Sequence, residues 1–301
     1  MERKITRVQP QGYCGGVLQA IALAKKCRQE NPDTPITILG NLVHNTYVKK
    51  ALAHYHLTTI EDSSRSRLQL LDDIKDGIVI FTAHGVSPQV YDKAREKGLQ
   101  IVDATCPFVS QTQKIVQDHL TQNAWVFYVG KKGHPEAEAI YSSSDHVILI
   151  ESTQDIPSHI EGEIFVTNQT TMSILELQSI FQTIKDQYPH ALIHDEICNA
   201  TRVRQQAILD LKDQNVDGLI VVGDPSSNNT QKLAAIGKEA KIPYVVCVAD
   251  ATEIDLDQIR TCHHIAITSG ASTPTYLTDQ ICRLVSSDAA KPEPVDIDCI
   301  L

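Results

Sequence analysis

LQIVDATCPFVSQTQKIVQDHL, residues 99–120, changes its hydrophobic period at one residue. Before Cys106 the apolar residues form a short strand-like run. After it they recur at three- and four-residue steps, the pattern of an amphipathic helix. Cys106 therefore falls on a strand-to-helix turn, and Pro107 suits an early helical position. Cys14 lies 92 residues upstream and Cys198 lies 92 residues downstream. Both have matching flanks. ITRVQPQGY (5–13) precedes Cys14 and VLQAIALAKKC (17–27) follows it; ALIHDEI (191–197) precedes Cys198 and RVRQQAILDLKDQ (202–214) follows it.

The match continues further along the chain. After each cysteine helix comes a strand that ends in glycine and opens into a polar loop: ITILG-NLVHN, WVFYVG-KKGHPE and LIVVG-DPSSNN, with Gly40, Gly130 and Gly223. A second apolar run follows (YHLTTIE, HVILIES, YVVCVAD), then a third strand ending in small residues (IVIFT-AHG, EIFVT-NQTT, HIAIT-SGAST). Four features recurring in order three times mark an internal repeat. Strands alternating with helices imply parallel sheets, whose ligand sites lie beyond the carboxyl ends of the strands. The expected fold is α/β: three similar parallel-sheet units arranged about a pseudo-threefold axis, so that three cysteines and six polar loops face one cavity. The expected boundaries are 15–105, 106–196 and 197–285, the last packed with an N-terminal strand within 1–14. An aperiodic tail follows over 286–301.

Composition narrows the function. Of the 301 residues 42% are hydrophobic and 21% charged, which rules out compositional disorder. Lys and Arg number 27 against 37 Asp and Glu, a net charge of −10 with no basic run, so a nucleic-acid partner is not expected. No apolar run approaches the roughly 18 residues of a membrane span, and the N-terminus has no signal-peptide core. A cytoplasmic monomer is expected. Eight scattered cysteines are too few for a disulfide scaffold. Cys27, Cys247, Cys262, Cys282 and Cys299 are read as packing residues, with Cys247 and Cys262 in strand-like runs.

Three cysteines delivered by separate turns suit a metal. Zinc held by three thiolates and water is open as a reading, but no locally paired C-x2-C exists. A cubane iron–sulfur cluster accepts single cysteines from distant loops. With three ligands it leaves one iron able to polarise an exogenous oxygen. The helix start behind each cysteine favours the thiolate. The remaining loops carry His44 and Asn45, His84, His134 and Glu136, Thr170 and Thr171, Ser226, Ser227, Asn228 and Ser272. These histidines, hydroxyls and amides, with no Lys or Arg among them, can hydrogen-bond a phosphate or diphosphate. Glu136 is the one carboxylate in the set and the candidate general acid, with Thr170 a hydroxyl relay and His134 next in line.

These stretches together resemble the 4-hydroxy-3-methylbut-2-enyl diphosphate reductase family, which closes the methylerythritol phosphate route to isoprenoids. The matching motifs are GYCGGV (12–17), VHN (43–45), AHGVS (83–87), DATCP (103–107), GHPE (133–136), NQTT (168–171), ICNATR (197–202), SSNN (226–229) and SGAST-P (269–274). Gly15, where the family usually has alanine, and Asn199, where an aromatic is common, are the small departures. The resemblance implies one 4Fe–4S cluster on Cys14, Cys106 and Cys198, with one iron open to substrate. It implies reductive loss of the allylic hydroxyl to give isopentenyl and dimethylallyl diphosphates. Glu136 would protonate the departing oxygen through Thr170 or water. His44, His84, His134, Ser226, Ser227, Asn228 and Ser272 would hold the diphosphate, and Thr171 and Thr201 would line the pocket. Single electrons would come from reduced ferredoxin or flavodoxin. Quinolinate synthase, also built from three α/β units, is the enzyme alternative, although its motifs are missing here. A cluster carrier or sensor would need the cysteines but not Glu136, His134 or the SSNN loop.

Overall fold

The structure is a computed structural model that describes residues 3–286 and 291–301. The chain begins with β1 (Lys4–Arg7), α1 (Gly15–Glu30), β2 (Ile36–Leu39), α2 (Thr46–His54), β3 (Thr58–Ile60) and α3 (Arg67–Leu70). Then come β4 (Ile78–Phe81), α4 (Pro88–Glu96), β5 (Gln100–Asp103), α5 (Pro107–Thr121), β6 (Trp125–Val129) and α6 (Pro135–Tyr141). The middle continues with β7 (Val147–Ile150), β8 (Ile164–Asn168), α7 (Ile174–Gln187), β9 (Leu192–Ile193) and α8 (Asn199–Leu209). The last part holds β10 (Gly218–Val222), α9 (Asn228–Glu239), β11 (Tyr244–Val248), α10 (Leu256–Thr261), β12 (His264–Ser269) and α11 (Thr275–Val285). No helix among the described residues is long and apolar enough to cross a membrane.

Among the described residues the strands form three four-stranded sheets, every pair of them parallel. Their orders are β3-β2-β4-β5, β7-β6-β8-β9 and β11-β10-β12-β1. This is one order repeated three times, and it bears out the expected three parallel-sheet α/β units. The fourth strand of each sheet is the one leading into a cysteine turn. In the third sheet that strand comes from the start of the chain, with Lys4 opposite His264 and Arg7 opposite Ile267.

The compact units number two. One comprises Met1–Val17, His44–Ala51 and Asn199–Leu301; the other comprises Leu18–Val43 and Leu52–Cys198. The second contains the β2 and β6 sheets and the first contains the β10 sheet. Central strands β4, β6, β8, β10 and β12 are nearly wholly buried, as expected where helices cover both faces of a parallel sheet. In the β6 sheet Phe127, Val129 and Val166 pack on Leu177 and Ile184 of α7. In the β2 sheet Leu39, Val79 and Phe81 pack on Leu71 and on Val90 of α4. Each such side chain contributes about 1.5–3 kcal/mol over leaving it in water.

One local expectation changes. Cys262 is not in a strand: it is the C-cap of α10, its thiol turned toward the Gln258 carbonyl at 3.8 Å. The aperiodic tail is packed at its end. Ile300 is buried at 2% exposure, the Tyr13 hydroxyl donates to its carbonyl at 2.8 Å, and Ile297–Cys299 form a short 3-10 turn. Tail residues 287–290 lie outside the described residues.

Candidate active site

Each of the three repeated cysteines begins the helix that follows the fourth strand of its sheet. Its amide is held in the same way each time. Cys14 N–H donates to Ala271 C=O at 2.9 Å, Cys106 N–H to Ala83 C=O at 3.0 Å, and Cys198 N–H to Thr170 C=O at 3.2 Å. Each of these carbonyls lies two residues past the end of the adjacent third strand. The next residue is His84, Thr171 or Ser272, so these three candidate contacts occupy equivalent places in the repeat. A second equivalence joins His44, His134 and Ser227. Each lies four residues after a strand-ending glycine, Gly40, Gly130 or Gly223.

Position in the repeat separates the cysteines. Cys14, Cys106 and Cys198 are half-buried at helix starts. Cys27, Cys262 and Cys282 are buried, and burial pushes their thiols up, as it does for half-buried Cys247. A raised thiol stays protonated and is a poor metal donor. Cys14, Cys106 and Cys198, each at a helix start at the carboxyl end of a parallel sheet, offer thiols that suit a soft metal or an iron–sulfur cluster. Among the described residues no three His, Cys, Asp or Glu side chains stand together as a metal site. The fit therefore rests on donor chemistry and repeat equivalence.

The acid sits in the unit that holds Cys106 and Cys198. Glu136, second residue of α6, is only 2% exposed. Thr170 donates its backbone N–H to Oε1 at 2.7 Å and its hydroxyl to Oε2 at 3.0 Å, while the Tyr128 hydroxyl reaches Oε1 at 3.5 Å. Burial raises the carboxyl to about 7, even though the bonds from Thr170 and Tyr128 pull it down. Desolvation wins because it penalises only the ionised form. Through Thr170 the carboxylate is linked to a cysteine turn. The peptide N–H of Thr170 holds Glu136, and its C=O holds the amide of Cys198.

His134 caps α6, its Nδ1 accepting from the Glu136 backbone N–H at 3.2 Å. An Nδ1 that accepts carries no proton, so the ring in this geometry is the neutral Nε2–H tautomer. The His84 ring meets that of His134 edge-on, centroids 5.6 Å apart, and its Nδ1 lies 3.3 Å from the Thr82 hydroxyl. Thr171 accepts from the Gln169 amide at 2.8 Å. The structure thus brings His84, His134, Glu136, Thr170 and Thr171 together with Cys106 and Cys198 in one unit.

The other unit gathers Cys14, His44, Thr201, Ser226, Ser227, Asn228 and Ser272. Ser272 Oγ donates to the His44 carbonyl at 2.9 Å, and Asn45 Oδ1 caps the start of α2 by accepting from Tyr47 and Val48 N–H. Thr201 is buried on α8. Ser226 does not offer a loose hydroxyl, since its Oγ donates to Asp224 Oδ1 at 2.6 Å. Ser227 is the N-cap of α9, accepting from Thr230 N–H. Asn229, quoted in the SSNN motif but given no role there, is a residue whose surroundings the sequence did not indicate. It is 5% exposed, and neither its Nδ2 nor its Oδ1 has a hydrogen-bond partner. A buried amide costs free energy until something bonds it. Asn229 is therefore a candidate for a further polar partner beside Ser227 and Asn228.

Fold and site define a class: a three-repeat α/β protein with a cysteine at the ligand end of each sheet and one buried acid poised near neutral pH. Comparison with known proteins agrees. The family model described as LytB protein matches residues 5–286, and the chain belongs to that family. A protein of Exiguobacterium sibiricum named 4-hydroxy-3-methylbut-2-enyl diphosphate reductase is 42% identical over 92% of this chain and 89% of its own length. One of the same name from Anoxybacillus flavithermus is 41% identical over 96% and 93%. Among solved structures, the E-1-hydroxy-2-methyl-but-2-enyl-4-diphosphate reductase of Plasmodium falciparum superposes with a TM-score of 0.89 at 31% identity, covering 96% of this chain and 90% of that one.

Proposed function

We propose that this chain removes the allylic hydroxyl of 4-hydroxy-3-methylbut-2-enyl diphosphate by two-electron reduction, giving isopentenyl and dimethylallyl diphosphates and water. The names carried by its relatives support the reaction, and the buried Glu136 with a carboxyl near neutrality is the structural observation that supports it best. The proposed units are residues 15–105, 106–196 and 197–285 with the N-terminal strand. The proposed ligands of one 4Fe–4S cluster are Cys14, Cys106 and Cys198. When bound, the cluster supplies the electrons and an open Lewis-acidic iron.

The chain's own residues do the rest. Glu136 holds a proton in the ground state and gives it to the substrate hydroxyl, which leaves as water. Thr170 holds the carboxyl oriented and offers a hydroxyl path for that proton. A second proton goes to the allylic carbon, at either of two positions, which accounts for two isomeric products. His44, His84, His134, Ser226, Ser227, Asn228 and Ser272 are the proposed diphosphate contacts, to which we add Asn229, and Thr171 and Thr201 line the pocket. A small one-electron donor, ferredoxin or flavodoxin, delivers the two electrons in turn to a cytoplasmic monomer.

The test is turnover by anaerobically prepared protein. Iron and sulfide in equal amounts near four per chain, a visible charge-transfer band, and formation of both isoprenoid diphosphates from dithionite-reduced protein are expected. A colourless, zinc-containing protein, or a coloured one that leaves the substrate unchanged, overturns the reading.

A further inference from the structure

We propose that Asp224 is a positioning residue for the anion pocket, clasping the loop that leads into α9 to the start of α2. The proposal rests on the diphosphate reading above. A carboxylate has about four lone-pair directions, and here each is used. Oδ2 accepts from Thr46 N–H at 2.8 Å and Thr46 Oγ1 at 2.6 Å. Oδ1 accepts from Ser226 N–H at 2.9 Å and Ser226 Oγ at 2.6 Å. The residue is 7% exposed. Burial pushes its carboxyl up, yet the bonds from Ser226 and Thr46 outweigh this and hold it below the usual carboxylate range.

The clasp joins two segments far apart in the chain. His44, Asn45, Thr46 and Tyr47 are fastened to the carboxyl ends of three strands of one sheet. The His44 carbonyl takes Ser272 beyond β12, Thr46 bonds Asp224 beyond β10, and the Tyr47 hydroxyl bonds Asp250 beyond β11. Asp224 is the fastening next to Ser227, Asn228 and Asn229. Its own carbonyl accepts the Ser227 N–H at 3.0 Å, so it also fixes where α9 begins. A negative charge beside an anion pocket opposes binding through space. The geometry assigns Asp224 a net benefit because it presets the loop, and preorganisation lowers the ordering cost of binding.

The two effects have opposite signs, which makes the idea testable. Asp224→Asn removes the charge, but its NH2 cannot accept, so one of the two donor pairs is lost. Steady-state kinetics of the anaerobic holoenzyme should show KM for the diphosphate substrate raised about tenfold or more, as for lost charge-assisted hydrogen bonds. Iron content should be unchanged, and kcat should stay within about threefold. Asp217→Asn is the control, since Asp217 is a half-buried carboxylate that accepts from the His263 and His264 N–H groups at the opposite, amino end of the same sheet. It should cost comparable thermal stability and leave KM within about threefold. If Asp224→Asn folds poorly, Thr46→Val removes one donor and should raise KM severalfold. An unchanged or lowered KM in Asp224→Asn, or an equal rise in Asp217→Asn, overturns the proposal. A wild-type chain that cannot turn over the substrate overturns the functional reading instead.

Discussion

Replacing Glu136 by glutamine keeps the size of the side chain and its place near Thr170 but removes the transferable proton. The wild-type carboxyl lies at about 7, so near neutral pH about half of the molecules hold the proton that the departing hydroxyl needs. Losing a positioned acid costs on the order of 10²–10⁴ in rate. The clean assay is single turnover: reduce the holoprotein stoichiometrically, add substrate, and follow product, so that docking of the electron donor plays no part. The wild-type rate should be level below about pH 6 and fall roughly tenfold per unit well above 7, as the protonated fraction falls. The same shift acts on stability. Between pH 4.5, the ordinary value, and about 7 the folded chain keeps a proton that the unfolded chain has released. That stabilising contribution is full below 4.5 and is lost as pH rises through 7, a change on the order of 3 kcal/mol. Glu136→Gln should lack both this stability slope and the rate slope. A variant that reduces substrate at the wild-type rate, or a wild-type profile flat from pH 6 to 9, would refute the assignment of the acid.

Three further expectations can be checked on the same protein. Cys14→Ser, Cys106→Ser and Cys198→Ser should each lose most of the iron and the activity, because a hard oxygen replaces a soft thiolate; Cys247→Ser should keep both, and equal loss in all four would remove the distinction. Asn229→Ala should weaken substrate binding by about tenfold while removing a buried, unbonded amide, so its melting temperature should hold or rise. Gly40→Ala should destabilise the chain by about 1–3 kcal/mol from backbone strain alone, since Gly40 has φ +93°. A Cβ there would also stand 2.5 Å from the Arg67 guanidinium carbon. A melting curve matching wild type would contradict this.

The repeat was legible because every unit obeys the same local rules. A change from strand to helix periodicity at each cysteine, and a glycine at the end of each first strand, survive without any other sequence likeness. Glu136 could be singled out as the one carboxylate in a polar loop, but GHPEAE says nothing of the burial that moves its carboxyl to about 7. Ser226 and Asn229 show a different limit. Four consecutive polar side chains look alike on paper, and only the fold shows that one hydroxyl is tied to Asp224 while one amide is sealed without a partner. Asp224 itself carries the wrong sign for an anion site, so charge logic passes over it. Cys262 looked strand-borne because β-branched and apolar residues follow it, whereas the preceding helix ends on it.

The first strand pairs with the last, Lys4 beside His264, and the amide of Cys14 depends on the carbonyl of Ala271. This has a consequence for the growing polypeptide on the ribosome. The turns of Cys106 and Cys198 close on Ala83 and Thr170, which are synthesised shortly before them, so both can form while translation continues. The turn of Cys14 is translated first and fastened last, after a wait on the order of tens of seconds at ordinary elongation rates. Until then the opening strand is an unpaired edge, exposed to wrong partners. The opening strand and the Cys14 turn can therefore take their final form only after residues 264–271 have been made.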